Sequence, residues 1–243
     1  MARTGRGASI VLKPLYVSTA RVARRIAGAT GLLWLLERMP GRRALWFRSL
    51  FSIHDSADLV HLGIPWWTFP AIDAVEAHLA QRQGGARAFE YGSGASTIWL
   101  AQRCAIVRSV EHDAAFATGM ARFFERHANI RLRTLEPEPA TRNSKARSNR
   151  QGFIHLAFDS YAAAIEDSAE VYDLIVIDGR ARVACLNRAL SFLAPGGIIL
   201  FDNSDRREYR HAIERSGLRE TKLRGLAPAL PYPGQTSLLR HES

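Results

Sequence analysis

Between Arg87 and Phe201 the chain alternates short apolar runs with longer stretches of helical spacing. That alternation leaves few folds open. The run from Tyr172 to Asp178 (Tyr-Asp-Leu-Ile-Val-Ile-Asp) is nearly continuous apolar, as suits a parallel strand covered on both faces. Strands alternating with helices build an α/β fold around a mostly parallel sheet. The pattern predicts strands at 87–91, 106–111, 130–135, 172–178 and 198–201, with helices at 96–103, 113–127, 183–193 and 206–216. Two last strands, at 218–223 and 236–239, flank a Pro-rich turn at 228–234. Upstream, Ile72, Val75 and Leu79 mark one face of a helix that Pro70 can open and Gln83-Gly84-Gly85 ends. The polar stretch 136–152 breaks the rhythm and reads as a mobile surface loop, either a binding loop or a tolerated insertion.

Charge divides the chain. The net charge is +10, yet residues 1–50 hold ten basic side chains against the single acid Glu37, and the rest of the chain is nearly balanced. This defines a basic, helical N-terminal extension over 1–64 ahead of a main domain over 65–243. A basic arm can meet anionic lipid, nucleic acid or an acidic partner, or simply be solvated. The apolar stretch 26–36 is shorter than the roughly 20 residues of a spanning helix. Val22, Ile26, Ala29, Leu33 and Leu36 recur at helical spacing. They describe a helix lying on a membrane surface or one packed on the main domain. Two cysteines, Cys104 and Cys185, make no disulfide framework and no metal-ligand spacing, so a cytoplasmic setting is expected.

In an open parallel sheet, ligands bind beyond the carboxyl ends of the strands. The predicted strand ends carry an unusual set of groups. Glu90-Tyr91-Gly92-Ser93-Gly94 follows the first, and Ser96 and Thr97 open the helix beyond it. Glycines there let the backbone approach a ligand, and a helix N-terminus offers unpaired N–H groups to an anion. Glu111 ends the second strand, where an acid can accept both hydroxyls of a ribose. Asp178-Gly179-Arg180 and Asp202-Asn203 end two more. The third glycine of a dinucleotide fingerprint is replaced by Thr97. Asp178 and Asp202 have a plainer reading as helix N-caps, and Trp66 and Trp67 as core.

From about Trp66 onward the chain resembles the class I S-adenosylmethionine-dependent methyltransferases, through Phe89-Glu90-Tyr91-Gly92-Ser93-Gly94, Ser109-Val110-Glu111-His112-Asp113 and the stretch 172–203. The resemblance implies a Rossmann-like seven-stranded sheet with helices on both faces and an antiparallel last strand. It also implies S-adenosylmethionine as cofactor. The Gly92–Gly94 loop would cradle the methionine part, Glu90 would help hold its amino end, Glu111 the ribose, and His112 the adenine, whose other edge Asp159 and Ser160 would border. Asp178, Asp202 and Asn203 resemble the divalent-metal ligands of the catechol and caffeoyl-coenzyme A O-methyltransferases, which suggests Mg2+ and an acceptor hydroxyl or carboxyl. Those enzymes place a lysine where this chain has Ala181. Arg180 and Arg182, poor bases, are left to bind an acidic acceptor or to hold Asp178. Asp178, Arg180 and Asp202 are thus the expected catalytic residues, acting on a small-molecule or glycan acceptor. Two rival readings are an RNA methyltransferase using the basic arm, and a non-catalytic cofactor-binding scaffold docked through that arm. The near-neutral body and the sequence Asp178-Gly179-Arg180-Ala181 count against the first.

Overall fold

A computed structural model describes residues 22–53 and 55–242. The rest of the basic arm, with Arg3, Arg6, Lys13 and Arg21, lies outside the described residues. Helical residues 22–29 (α1) lead into α2 (Leu32–Arg38), α3 (Arg42–Ser49) and α4 (Ser56–His61). The main domain then runs α5 (Phe69–Ala80), β1 (Arg87–Tyr91), α6 (Ala95–Ala101), β2 (Ile106–Glu111), α7 (Ala114–Phe124) and β3 (Ile130–Thr134). It continues through β4 (Glu138–Pro139), β5 (Leu156–Ala157), α8 (Asp159–Ala163), β6 (Tyr172–Ile177), α9 (Arg182–Ala189), β7 (Leu193–Asp202), α10 (Arg207–Arg215), β8 (Arg219–Leu226) and β9 (Pro233–Arg240).

Seven strands form one sheet in the order β3-β2-β1-β6-β7-β9-β8. The neighbours from β3 to β7 are parallel, and β9 runs antiparallel to both β7 and β8. Side chains alternate across a strand, so each central strand feeds two cores. Leu174, Val176 and Leu200 join the layer under α5, α6 and α7, with Ile72, Val75 and Leu100. Ile175, Ile177 and Phe201 join the opposite layer under α8, α9 and α10, with Tyr161, Leu186 and Ile213. The expected sandwich of helices on both faces is therefore present, and the two C-terminal strands pair as an antiparallel hairpin.

The stretch 136–152 lies at the surface with most residues exposed, but it is anchored to the body. β4 pairs with β5, the Phe158 amide donates to the Ala146 carbonyl at 2.8 Å, and Ala146 is buried. The N-terminal stripe, read as lying on a membrane or packed on the domain, is only partly inward. Ala27 and Leu36 are buried, but Val22 and Ile26 are exposed. What fixes this region is an ion-pair cluster. The buried Arg48 guanidinium donates to both Asp58 carboxylate oxygens at 2.9 and 3.0 Å and to Glu37 at 2.7 Å. Beyond it, Trp46 Nε1 donates to the Leu230 carbonyl at 2.9 Å, and the Ala229 amide to Ser49 Oγ at 3.0 Å. The extension is thereby tied to the turn between β8 and β9. Among the described residues no helix is long and apolar enough to cross a membrane.

Strand order reverses between β1 and β6, and the first residues beyond these strands are pressed together. Gly92 has φ +96°, and a Cβ on it would lie 2.8 Å from Gly179 Cα. A Cβ on Gly179 would fall on the Tyr161 hydroxyl and lie 3.0 Å from the Tyr91 carbonyl oxygen. The backbones touch, so the crevice floor has no room for a side chain. Gly179→Ala is expected to cost about 2 kcal/mol or more. That corresponds to a fall of roughly 4–8 °C in thermal midpoint, measured by circular dichroism. An unchanged midpoint would show that the two loops are not in contact.

Candidate active site

The crevice above this floor has a volume of about 770 Å³, within the usual range for small-molecule sites. The loops after β1, β2, β6 and β7 line it, together with Arg150 and Phe153 from the segment before β5. Its far wall comes from the N-terminal part and the β8–β9 turn, through Ser56, Leu59, Trp66, Leu230 and Tyr232. Of the two tryptophans, Trp67 is buried in the core and Trp66 faces the crevice.

The two glutamates take different places. Glu90 is fully buried and does not line the crevice. Its carboxylate accepts the hydroxyls of Ser96 and Thr97 at 2.5 Å each and of Ser109 at 3.0 Å. The Gly94 amide in turn donates to Thr97 Oγ1 at 2.9 Å. Glu90, Ser96 and Thr97 thus form a polar cage that sets the course of the Gly92–Gly94 loop. Burial pushes the Glu90 carboxyl up to about 7, against the pull of its three hydroxyl partners. Glu90, expected to help hold a ligand's amino end, lies beneath the loop: the alternation that points Phe89 and Tyr91 to one core turns Glu90 under α6.

Glu111 is buried too, but it borders the crevice. Oε2 accepts the Ser93 amide at 3.0 Å and the Ser93 hydroxyl at 3.1 Å. Oε1 accepts the amides of His112 at 2.8 Å and Asp113 at 3.0 Å, and His112 Nδ1 lies 2.6 Å away. Burial raises its carboxyl, but the His112 ring and the amides outweigh this and hold it below the ordinary range. The His112 ring packs among Phe153, Phe158 and Tyr161, with centroids 5.6 to 6.2 Å apart. Arg180 Nε donates to His112 Nε2 at 3.3 Å, and its guanidinium lies 4.8 Å above the Phe153 ring.

Asp159 and Ser160 lie elsewhere. They open α8 beside a separate cavity of about 230 Å³, and Asp159 Oδ1 accepts the amides of Lys145 and Ala146 at 3.0 and 3.2 Å. The carboxylate is spent on folding the 136–152 segment. Phe153 and Arg150 line the crevice, and Asp159 and Ser160 do not. A lone aromatic at the end of a polar stretch was the available signal.

The three residues of the expected metal triad have other partners. The chain enters α9 through Ala181 in the left-handed conformation, φ +47°. The turn sends the buried Arg182 side chain back beneath the ends of β6 and β7. There Nε donates to the Gly179 carbonyl at 3.1 Å, and Nη2 to the Asp178 carbonyl at 2.8 Å and to Asp178 Oδ1 at 2.7 Å. Nη1 donates to the Asp202 carbonyl and lies 3.8 Å from Asp202 Oδ2. Asp202 Oδ1 accepts the Thr236 hydroxyl at 2.7 Å. Asn203 Oδ1 accepts Arg206 Nη2 at 2.7 Å. Both aspartates are thus already engaged by one guanidinium and Asn203 by another, a donor set that does not fit a divalent ion. Among the described residues no group of three His, Cys, Asp or Glu side chains is placed to hold a metal. Neither aspartate caps a helix; Ala181 and Arg206 occupy the N-cap positions. Burial and the charge of Asp202 raise the Asp178 carboxyl above its ordinary value, although Arg182 opposes this.

Residues 89–204 match a family described as a methyltransferase domain. A methyltransferase-like protein from Silicibacter pomeroyi is 21% identical, with 74% of this chain and 92% of that one covered and a TM-score of 0.48. A methyltransferase from Streptococcus mutans, described as putative and solved with S-adenosylhomocysteine, is 11% identical over 69% and 96% of the two chains, at 0.47. An rRNA methylase from Streptococcus thermophilus is 12% identical over 70% and 96%, at 0.49. No curated protein sequence matches the chain. The match to a methyltransferase domain over residues 89–204 and the seven-stranded sheet agree with the resemblance to the class I S-adenosylmethionine-dependent methyltransferases.

Two outcomes test this site. Glu90 takes up its proton near pH 7 in the folded protein, whereas an unperturbed glutamate does so only near 4.5. The folded state thus binds more protons between these values, and this group's contribution to stability falls as pH rises through that window, by about 3 kcal/mol. Glu90→Gln should remove that slope from the difference between the two proteins' urea-unfolding curves; identical pH profiles would contradict the buried carboxyl. For the triad, a manganese titration followed by electron paramagnetic resonance should show no saturable micromolar binding. A stoichiometric site would overturn the guanidinium arrangement.

Proposed function

We propose that this methyltransferase transfers the methyl group to an oxygen of a small-molecule or glycan acceptor that carries negative charge, without a divalent metal and with Asp178 as proton acceptor. The observation that carries the reading is the asymmetric use of Asp178. Arg182 engages Oδ1, and Oδ2 has no hydrogen-bond partner among the described residues at the crevice wall. A carboxylate raised by burial and a neighbouring acid is suited to exchange a proton near neutral pH. When bound, S-adenosylmethionine supplies a methyl already made electrophilic by its sulfonium. The chain's part is then to bind, align and deprotonate.

The residues suit those tasks. Glu111 is ionised and has two acceptor oxygens at the crevice edge, which fits the hydroxyls of a ribose. Ser93, which now donates to it from amide and hydroxyl, can turn its hydroxyl aside. The Gly92–Gly94 loop lets the backbone close on the methionine portion, with Glu90 fixing the loop from below. His112 and Phe153 offer flat faces for adenine. Arg180 is half-buried, and among the described residues its guanidinium donates a hydrogen bond to His112 alone. Burial and the nearby charges of Arg150 and Arg182 lower its pKa, so an anionic acceptor group would relieve that strain.

Calorimetry with S-adenosylhomocysteine and turnover with labelled cofactor against panels of hydroxy and carboxy acids test this. Glu111→Ala should weaken product binding by about 10- to 100-fold. Asp178→Asn should keep binding within a few-fold and slow transfer by about 10²- to 10⁴-fold, with loss of the rising limb of the pH–rate profile. Transfer that proceeds unchanged in Asp178→Asn, or only to nitrogen acceptors, would overturn the proposal.

A further inference from the structure

The N-terminal helices carry a surface that the methyltransferase site does not use. Ten large hydrophobic side chains are exposed among the described residues, and six lie within residues 22–47. In α1 these are Val22 and Ile26, one helical turn apart. In α2 they are Trp34 and Leu35, followed one turn on by the exposed Arg38 and Met39. Leu36, between them, is buried, so α2 keeps one side on the body and leaves an apolar side uncovered. A shallow groove lined by Arg24, Arg25, Gly28, Ala29 and Leu33 joins the two helices.

The charge of this surface is one-sided. Residues 22–49 hold six arginines and one acid, Glu37, which Arg48 already engages. Arg24 is taken by Asp55 and Asp58, and Arg42 by Asp73. Arg25 and Arg43 are exposed and have no acidic partner among the described residues, and Arg38 lies 3.6 Å over the Trp34 ring. The preceding 21 residues add Arg3, Arg6, Lys13 and Arg21 with no acid. Exposed aliphatic groups and a tryptophan interleaved with guanidiniums match a bilayer interface. Apolar groups enter the headgroup boundary while the cations meet lipid phosphates. Short helices held to a folded body suit shallow insertion rather than crossing.

From the charge complementarity and the uncovered apolar stripe, we infer that helices α1 and α2 dock this protein on an anionic lipid bilayer, with Val22, Ile26, Trp34, Leu35 and Met39 at the lipid boundary and the arginines on the headgroups. The surface lies outside the family match and is independent of the acceptor proposed above.

Flotation of the full chain with vesicles tests it. Binding to phosphatidylcholine vesicles containing about one third phosphatidylglycerol should be at least tenfold stronger than to phosphatidylcholine alone, and should weaken with salt. The double variant Ile26→Glu/Trp34→Glu should lose this binding. Its unchanged thermal midpoint and S-adenosylhomocysteine affinity would show that it folds. Equal recovery with both vesicle types, full binding by the double variant, or a concentration-dependent dimer in solution that the variant dissolves would each overturn the inference, the last by assigning the face to a second copy.

Discussion

The crevice depends on one buried guanidinium. Arg182 spans the ends of β6 and β7 and donates to carbonyls of Gly179, Asp178 and Asp202 as well as to the Asp178 carboxylate. A buried ion pair is costly unless every donor is used and the charges are well matched. Here a planar fork meets converging acceptors, which lysine, with its compact point charge, could not do. The arrangement also explains a left-handed residue with a Cβ at Ala181, since only a sharp reversal returns the next side chain beneath the strands. One cation thus braces two strands, holds one oxygen of Asp178 and leaves the other toward the crevice. The positive charge between the two aspartates is thus supplied by the polypeptide itself.

Two carboxylates one strand apart show how partners decide charge. Glu90 is surrounded by hydroxyls and has no cation beside it, so burial wins and the carboxyl is held near neutrality. Glu111 is similarly enclosed, but it accepts three backbone amides and faces His112, so it remains ionised. The first is suited to shaping a loop, and the second to receiving hydroxyl groups. Environments that push like groups apart commonly separate structural from functional acids.

The central sheet was legible in the sequence because its strands are covered on both faces and read as apolar runs. Strand β7 extends across Pro195-Gly196-Gly197, farther than its apolar run, with a register shift opposite Tyr172 and Leu174. Strands β4 and β5 are two residues each, and one contains proline, so no periodicity marked them. Among site residues, the strand-end positions of Gly92, Glu111 and Asp178 followed from the alternation alone. The inward turn of Glu90 is written in the same alternation, through the parity of Phe89 and Tyr91. The Asp178–Arg182 pair, four residues apart, was visible as spacing, but the reach of Arg182 to Asp202 depends on the Ala181 turn, which no pattern announces. The place of Asp159 was not legible, because the fold of 136–152 rests on backbone amides rather than on side-chain types.

The two sides of the crevice have different origins. One side is built from the loops after β1, β2 and β6, all within the matched residues 89–204. The opposite wall comes from Leu59, Trp66 and the turn carrying Leu230 and Tyr232, all outside that match. This wall is held by contacts from the extension: Trp46 to the Leu230 carbonyl, Ser49 to the Ala229 amide, and Arg48 to Asp58 on α4. The family match therefore covers the strand-end loops and leaves out this opposite wall. Because Trp46, Arg48 and Ser49 bond to the elements that bear Leu230 and Leu59, the extension and that wall are packed as one unit, and the part of the crevice outside the match is shaped by residues far apart in the chain.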